Sequence, residues 1–168
     1  MASKIKVRLA TPKDNVAVGK LLMDVDPRLQ IGYAPVNDVR LYQWILEIIQ
    51  TGVLAVADLS GRIVGVLGAT PYQPPWSLQY AYDVDFFYIL ESFRGEGLED
   101  HLLKAVEGHV DGISAQLGYQ VPLTLQINTG DRAEAKVRMM SMKENYTFTG
   151  GNFVRTLADG RKEEDQTD

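Results

Sequence analysis

The chain has no cysteine among its 168 residues. Disulfides, thiolate nucleophiles and thiolate metal sites are therefore excluded, and a reducing compartment is the simplest expectation. Long apolar runs are missing too. Nothing approaches the roughly 20 residues that a spanning helix needs, and the opening MASKIKVRLATPKD lacks the apolar stretch of a secretory leader. A cytoplasmic protein with no membrane contact is expected. Basic residues are outnumbered, 17 against 22 acidic, for a formal charge of -5. That balance disfavours nucleic acid and anionic membrane as partners and leans weakly toward a cationic one. The two histidines, His101 and His109, fall eight residues apart on one expected helix, two turns from each other, and form no metal pair.

What is present is enough apolar matter for one core. A hydrophobic content of 45% over this length fits one domain, residues 1–157. The charged ending ADGRKEEDQTD, residues 158–168, has nothing to bury and is expected to be disordered. Ile5, Val7 and Leu9 alternate as a strand. Thr11 caps a helix with Pro12 in its first position and Val18, Leu21 and Leu22 on one side, ending before Pro27. Asn37-Asp38 opens a second helix in which Leu41, Trp44, Ile45, Ile48 and Ile49 recur at helical spacing up to Gly52. VLAVADLSGRIVGVLGAT reads as a hairpin turning at Asp58 to Gly61, and YAYDVDFFYIL, after a proline-rich loop, as a fourth strand. A long helix from Gly97 to about Leu117, a strand from Pro122, a helix from Asp131 to Lys143 and a hairpin turning at Gly150-Gly151 complete the order.

That order, with the Arg94-Gly95-Glu96-Gly97-Leu98-Glu99 turn between the fourth strand and the next helix, resembles the GNAT family of acyl-CoA N-acyltransferases. The resemblance runs from Ile5 to about Leu157. It implies an α/β (α+β) fold: one mixed, mostly antiparallel twisted sheet of about six or seven strands flanked by about four helices, in the order β-α-α-β-β-β-α-β-α-β-β. It implies acetyl-CoA as co-substrate, no metal, and often a homodimer. The family's turn has Arg or Gln, two residues, Gly, one residue, then Gly or Ala. Here Arg94 and Gly97 match and Glu99 departs. Unpaired N–H groups and the dipole at a helix start favour an anion such as a pyrophosphate, and Gly95 and Gly97 let backbone approach it. A carboxylate at Glu99 opposes that. By the same resemblance, the main chain at Ile89 and Leu90 would pair with the pantetheine arm.

Acyl transfer from a thioester to an amine needs a neutral amine, a donor for the oxyanion and a proton for the thiolate. In the family a carboxylate on the fourth strand often serves as base. Asp83 and Asp85 are the candidates, expected on the same strand face as Phe87 and Ile89. Ser141 falls at the family's tyrosine acid and Glu134 at its asparagine. Tyr82, Tyr88 and Tyr146 are substitutes for the acid but are expected to be packing residues, as is a partly buried Trp76. Asp24 and Asp26, before the second helix, either favour a cationic amine or simply end a helix. The implied activity is acetyl transfer to a primary amine of a small molecule or protein. The departures at Glu99, Glu134 and Ser141 leave a second reading open, a catalytically silent binding or structural module on the same fold.

Overall fold

The computed structural model describes residues 5–24, 36–126, 133–143, 145–149 and 152–155. Their strands form one seven-stranded sheet in the order β1-β2-β3-β4-β5-β7-β6. β1 (Lys6–Leu9), β2 (Val53–Leu59), β3 (Arg62–Tyr72) and β4 (Ala81–Ile89) are antiparallel neighbours. β5 (Leu123–Gln126) runs parallel to β4, and β7 (Asn152–Arg155) and β6 (Tyr146–Thr149) continue the sheet antiparallel. The helices are α1 (Asn15–Asp24), α2 (Asp38–Thr51), α3 (Leu98–Leu117) and α4 (Ala133–Ser141). This is the element order expected from the sequence. Asp26, Gly150-Gly151 and the ending 158–168 lie outside the described residues.

Local signals set the boundaries. Asn37 Oδ1 accepts the Arg40 N–H at 3.0 Å and starts α2. Before α1, a 3-10 turn at Pro12–Asp14 is fixed by the Asp14 carboxylate, which accepts the Thr11 N–H at 2.7 Å and its hydroxyl at 2.9 Å. Gly97 and Gly118 flank α3 at φ 76° and 71°, a left-handed conformation that costs glycine nothing.

The sheet has a core on each side. α1 and α2 bury Val18, Leu21, Ile45 and Ile48 against Leu54, Val56, Ile63 and Val66. α3 buries Leu102, Val106 and Val110 on the opposite face, where Val64, Leu67 and Met140 join them. Truncating one such fully buried Leu or Met to Ala typically costs about 2–5 kcal/mol. With both faces covered, β2 and β3 read as unbroken apolar runs. No helix among the described residues is long and apolar enough to cross a membrane.

Two irregularities in β4 position the site. The register with β3 passes from Gly68↔Phe86 to Ala69↔Val84, so Asp85 is an extra, bulged residue. Such an insertion exchanges the faces of the side chains beyond it. Tyr82 and Val84 face the α3 core, and so do Phe87 and Ile89, whereas Phe86 and Tyr88 pack on the α1–α2 side. Asp83 and Asp85 therefore lie on the α2 face with Phe86 and Tyr88, and the expectation that they share a face with Phe87 and Ile89 is corrected. The second irregularity is that β4 pairs with β5 only at Tyr82↔Leu123 and Asp83↔Thr124. Beyond that point no further rung joins the two strands among the described residues.

Candidate functional site

Asp85 lies at the bulge, just past the last rung that joins β4 to β5. Solvent reaches it, but protein atoms displace enough water around it to push its carboxyl up to about 6. A hydrogen bond with the Thr70 side chain opposes that rise, while the charges of Asp83 and Glu47 add to it. Asp83 is half-buried and accepts the Thr124 hydroxyl at 2.5 Å. The two carboxylates thus stand at one point of the sheet, one satisfied by a hydroxyl and the other poised to titrate near neutrality.

From that point toward the end of β4 the strand offers backbone. The Leu90 N–H donates to the Val64 carbonyl at 2.9 Å, which continues the register Val66↔Tyr88 and Gly68↔Phe86. In an antiparallel ladder alternate residues bond to the same neighbour, so Phe87 and Ile89 direct their N–H and C=O groups to the β5 side, where no described β5 residue pairs with them. The Ile89 carbonyl accepts the Arg94 Nε–H at 3.0 Å. Leu90 spends its N–H on β3.

After β4 the chain makes a 3-10 turn at Glu91–Phe93 and enters the Arg94–Glu99 segment. Gly95 and Gly97 have φ 82° and 76°, and a side chain built on either would meet open space. The turn is therefore glycine-dependent by backbone conformation and open on its outer side. Leu98 begins α3 with its side chain buried, leaving its N–H among the unpaired donors of the first turn. The Glu99 carboxylate turns back and accepts the Gly95 N–H at 3.2 Å. The Arg94 guanidinium lies 5.5 Å from the centre of the Tyr88 ring. The backbone suits a diphosphate, whereas the carboxylates of Glu96 in the turn and of Glu99 and Asp100 in the first turn of α3 oppose it, Glu99 by bonding the turn itself.

The remaining sequence candidates are dispersed. The Ser141 hydroxyl donates to the Val137 carbonyl in its own helix at 2.9 Å. Glu134 belongs to α4, but its side chain lies outside the described residues. Tyr146 is buried, with its hydroxyl donating to Glu107 at 2.7 Å. Tyr82 is buried and meets His109 edge-on, and Tyr88 is half-buried, so all three tyrosines pack as expected. Asp24 is an exposed residue ending α1. Trp76 is 88% exposed, which corrects the partly buried position expected for it. The Ser77 carbonyl accepts the Gln73 side-chain N–H and its hydroxyl accepts the Gln79 N–H, which folds the loop on itself and leaves the indole outside. Among the described residues no cluster of three His, Asp or Glu side chains is placed to hold a metal ion.

Four residues join the site that sequence reasoning did not select: Thr70, Thr124, Trp44 and Glu47. Trp44 meets Phe86 edge-on with ring centres 5.3 Å apart, and Glu47, one turn later on the same face of α2, adds its field to Asp85. A shallow cavity of about 410 Å³ extends from them along Val36, Asn37, Arg40, Leu41 and Gln43. The 3-residue spacing of Trp44 and Glu47 was the available signal for the helix pair. The threonines come into view only once the strand register is known.

No protein-family model matches the sequence, and no curated protein is significantly similar to it. Solved structures are similar in fold. An acetyltransferase from Thermus thermophilus superposes with a TM-score of 0.63 at 20% identity, covering 94% of this chain and all of that one, 100%. A GNAT-family acetyltransferase from Streptococcus pneumoniae gives 0.60 at 17% identity over 92% and 98% of the two chains. An aminoglycoside N-acetyltransferase solved in complex with CoA gives 0.60 at 16% identity over 84% and 87%.

Proposed function

On the fold it carries, that of the GNAT acyl-CoA N-acyltransferases, we propose that this chain transfers an acetyl group from acetyl-CoA to a primary amine of a small molecule or protein, in the cytoplasm. The observation that carries the reading is Asp85: a carboxyl raised to about 6, at a bulge, just past the last rung that joins β4 to β5. A base whose pKa lies just below the working pH is ionised there yet still takes up a proton readily. The acidic surroundings, Asp83, Asp85 and Glu47, favour a cationic acceptor.

In this mechanism the acyl donor lies along β4 on the β5 side, its diphosphate on the Arg94–Leu98 turn and its arm against the backbone edge at Phe87 and Ile89. The amine enters from the α2 side over Trp44 and Phe86. Asp85 removes the proton from the ammonium or from the attacking amine, directly or through a water. Backbone N–H groups of β4 that point away from β3 supply the donors for the oxyanion. Collapse expels a thiolate. A thiol has an ordinary pKa of about 8.5, so this group leaves without a strong acid, and the absence of a tyrosine at Ser141 slows the reaction rather than forbidding it.

The test is transfer from acetyl-CoA to a panel of cationic amines, with thermal melting in parallel. At a hundredfold excess over Kd the donor adds about 2.7 kcal/mol, a rise of roughly 5–10 °C for a domain of this size. No stabilisation at millimolar acetyl-CoA removes the reading. The silent-module alternative draws on the Ser141 hydroxyl, which bonds into its own helix. It predicts a folded protein with weakened or no donor binding and no turnover, and turnover of any amine retires it.

A further inference from the structure

Two backbone groups on the proposed donor path are already held by the chain's own side chains. Glu99 Oε1 accepts the Gly95 N–H at 3.2 Å, in the turn assigned to phosphate. Arg94 Nε donates to the Ile89 carbonyl at 3.0 Å, on the edge assigned to the arm. A negative oxygen therefore meets the N–H that would meet a phosphate oxygen, and an N–H meets the carbonyl that would meet an amide. The outer side of the turn stays open, with no atom within 4 Å of where a side chain on Gly95 or Gly97 would begin. Glu99 also lies in the first turn of α3, where the helix dipole favours a carboxylate. It is consequently stable in the turn without ligand, and displaceable from it.

We propose that Glu99 is an internal stand-in for phosphate that sets donor affinity by competition: a diphosphate-bearing thioester must displace the carboxylate from the Gly95 N–H to bind. The inference rests on the reading of this turn as the donor's diphosphate site. It specifies that the donor is recognised as a phosphate-bearing molecule and that the chain holds that recognition in check. Displacing a hydrogen bond to a charged group corresponds to roughly tenfold to a hundredfold in affinity.

Isothermal titration of CoA into the parent protein, Glu99→Ala and Glu99→Gln tests it, with pantetheine as a phosphate-free control and thermal melts to verify folding. Glu99→Ala is expected to tighten CoA at least about tenfold, and Glu99→Gln, which keeps an acceptor but no charge, to fall between. Pantetheine should bind all three alike. The Gly95 amide resonance should shift in Glu99→Ala, and in the parent on saturation with CoA. Equal CoA affinity across the three proteins overturns the proposal while leaving the acyltransferase reading intact, and equal tightening toward pantetheine does the same. If Glu99→Ala does not fold, the Glu99→Gln titration decides by the same criterion. Folded proteins that all fail to bind CoA overturn the donor-site reading itself.

Discussion

Asp14 is a buried carboxylate and Asp85 one open to solvent beside protein, and their surroundings push them in opposite directions. Asp14 sits at the corner where β1 meets the start of α1. Its two oxygens each take an N–H of Arg8 at 2.8 Å, and the Thr11 N–H and hydroxyl complete the shell. Arg8 also reaches Asp58 at 2.9 Å, which in turn accepts the Gly61 N–H of the β2–β3 turn. The Arg8 hydrogen bonds hold Asp14 down at about 2, against the upward pull of burial. Asp85 has no cation among the causes acting on it; burial dominates, and the other carboxylates add to it. A buried carboxylate with a bidentate arginine ties elements together, whereas a solvent-reached carboxylate facing like charges is available for proton transfer.

The sharpest way to break that contrast is to neutralise each carboxylate in turn. Asp85→Asn is expected to lower kcat/KM for amine acetylation by about 10²–10⁴-fold, the usual contribution of a general base, while the melting temperature holds or rises. Unchanged turnover would transfer the role to another group, with Asp83 the first to examine. Asp14→Asn should do the reverse. It removes the charge that pairs with Arg8 and leaves one acceptor oxygen where Arg8 and Thr11 shared two, so stability should fall by about 2 kcal/mol, or roughly 4–8 °C, measured by circular dichroism. Activity at a temperature where the variant is folded should be near that of the parent.

pH separates the two further. The folded pKa of Asp14 is depressed from 3.8 to about 2, so its contribution is fully present above about 4 and is lost as pH falls toward 2. Allowing for screening at the partly exposed Arg8, that loss amounts to about 1–2 kcal/mol. The folded pKa of Asp85 is raised from 3.8 to about 6, so its ionisation opposes folding, and this penalty grows as pH rises from about 4 through 6. The same titration should make kcat/KM climb with pH up to about 6, and Asp85→Asn should remove that limb. A profile flat between pH 5 and 7 would mean that Asp85 takes no proton in the reaction.

How far these two regions could be read in advance differs for a physical reason. Thr11, Pro12 and Asp14 announce a helix start by residue type, as do Asn37 for α2 and Gly97 for α3, because capping is local chemistry. The order of elements along the chain followed from those boundaries. The bulge at Asp85 has no such signature, since it arises from how β3 and β4 slide past each other. One extra residue was enough to move Asp83 and Asp85 to the α2 face and bring Thr70 and Glu47 into the site. The Glu99 carboxylate posed a similar problem: its charge was legible, but its rotation back onto Gly95 was not. Trp76 failed differently, because hydrophobicity says what favours burial but not whether a neighbour is there to supply it.

The smallest expected effect concerns the thiolate side. If the contrast between a titrating Asp85 and the remaining, structurally bonded groups is right, Ser141→Ala should change the rate by less than about twofold. The hydroxyl donates to Val137 within α4, so the substitution removes a bond that slightly competes with the helix and substitutes the best helix former. Stability should therefore stay within about 0.5 kcal/mol. Steady-state kinetics with a thioester of raised leaving-group pKa sharpens the measurement, because a proton donor matters most when the thiolate is a poor leaving group. A drop above about tenfold confined to that donor would restore Ser141 as the group that protonates or holds water for the sulfur. An even response across donors leaves the chemistry with Asp85 and the exposed edge of β4.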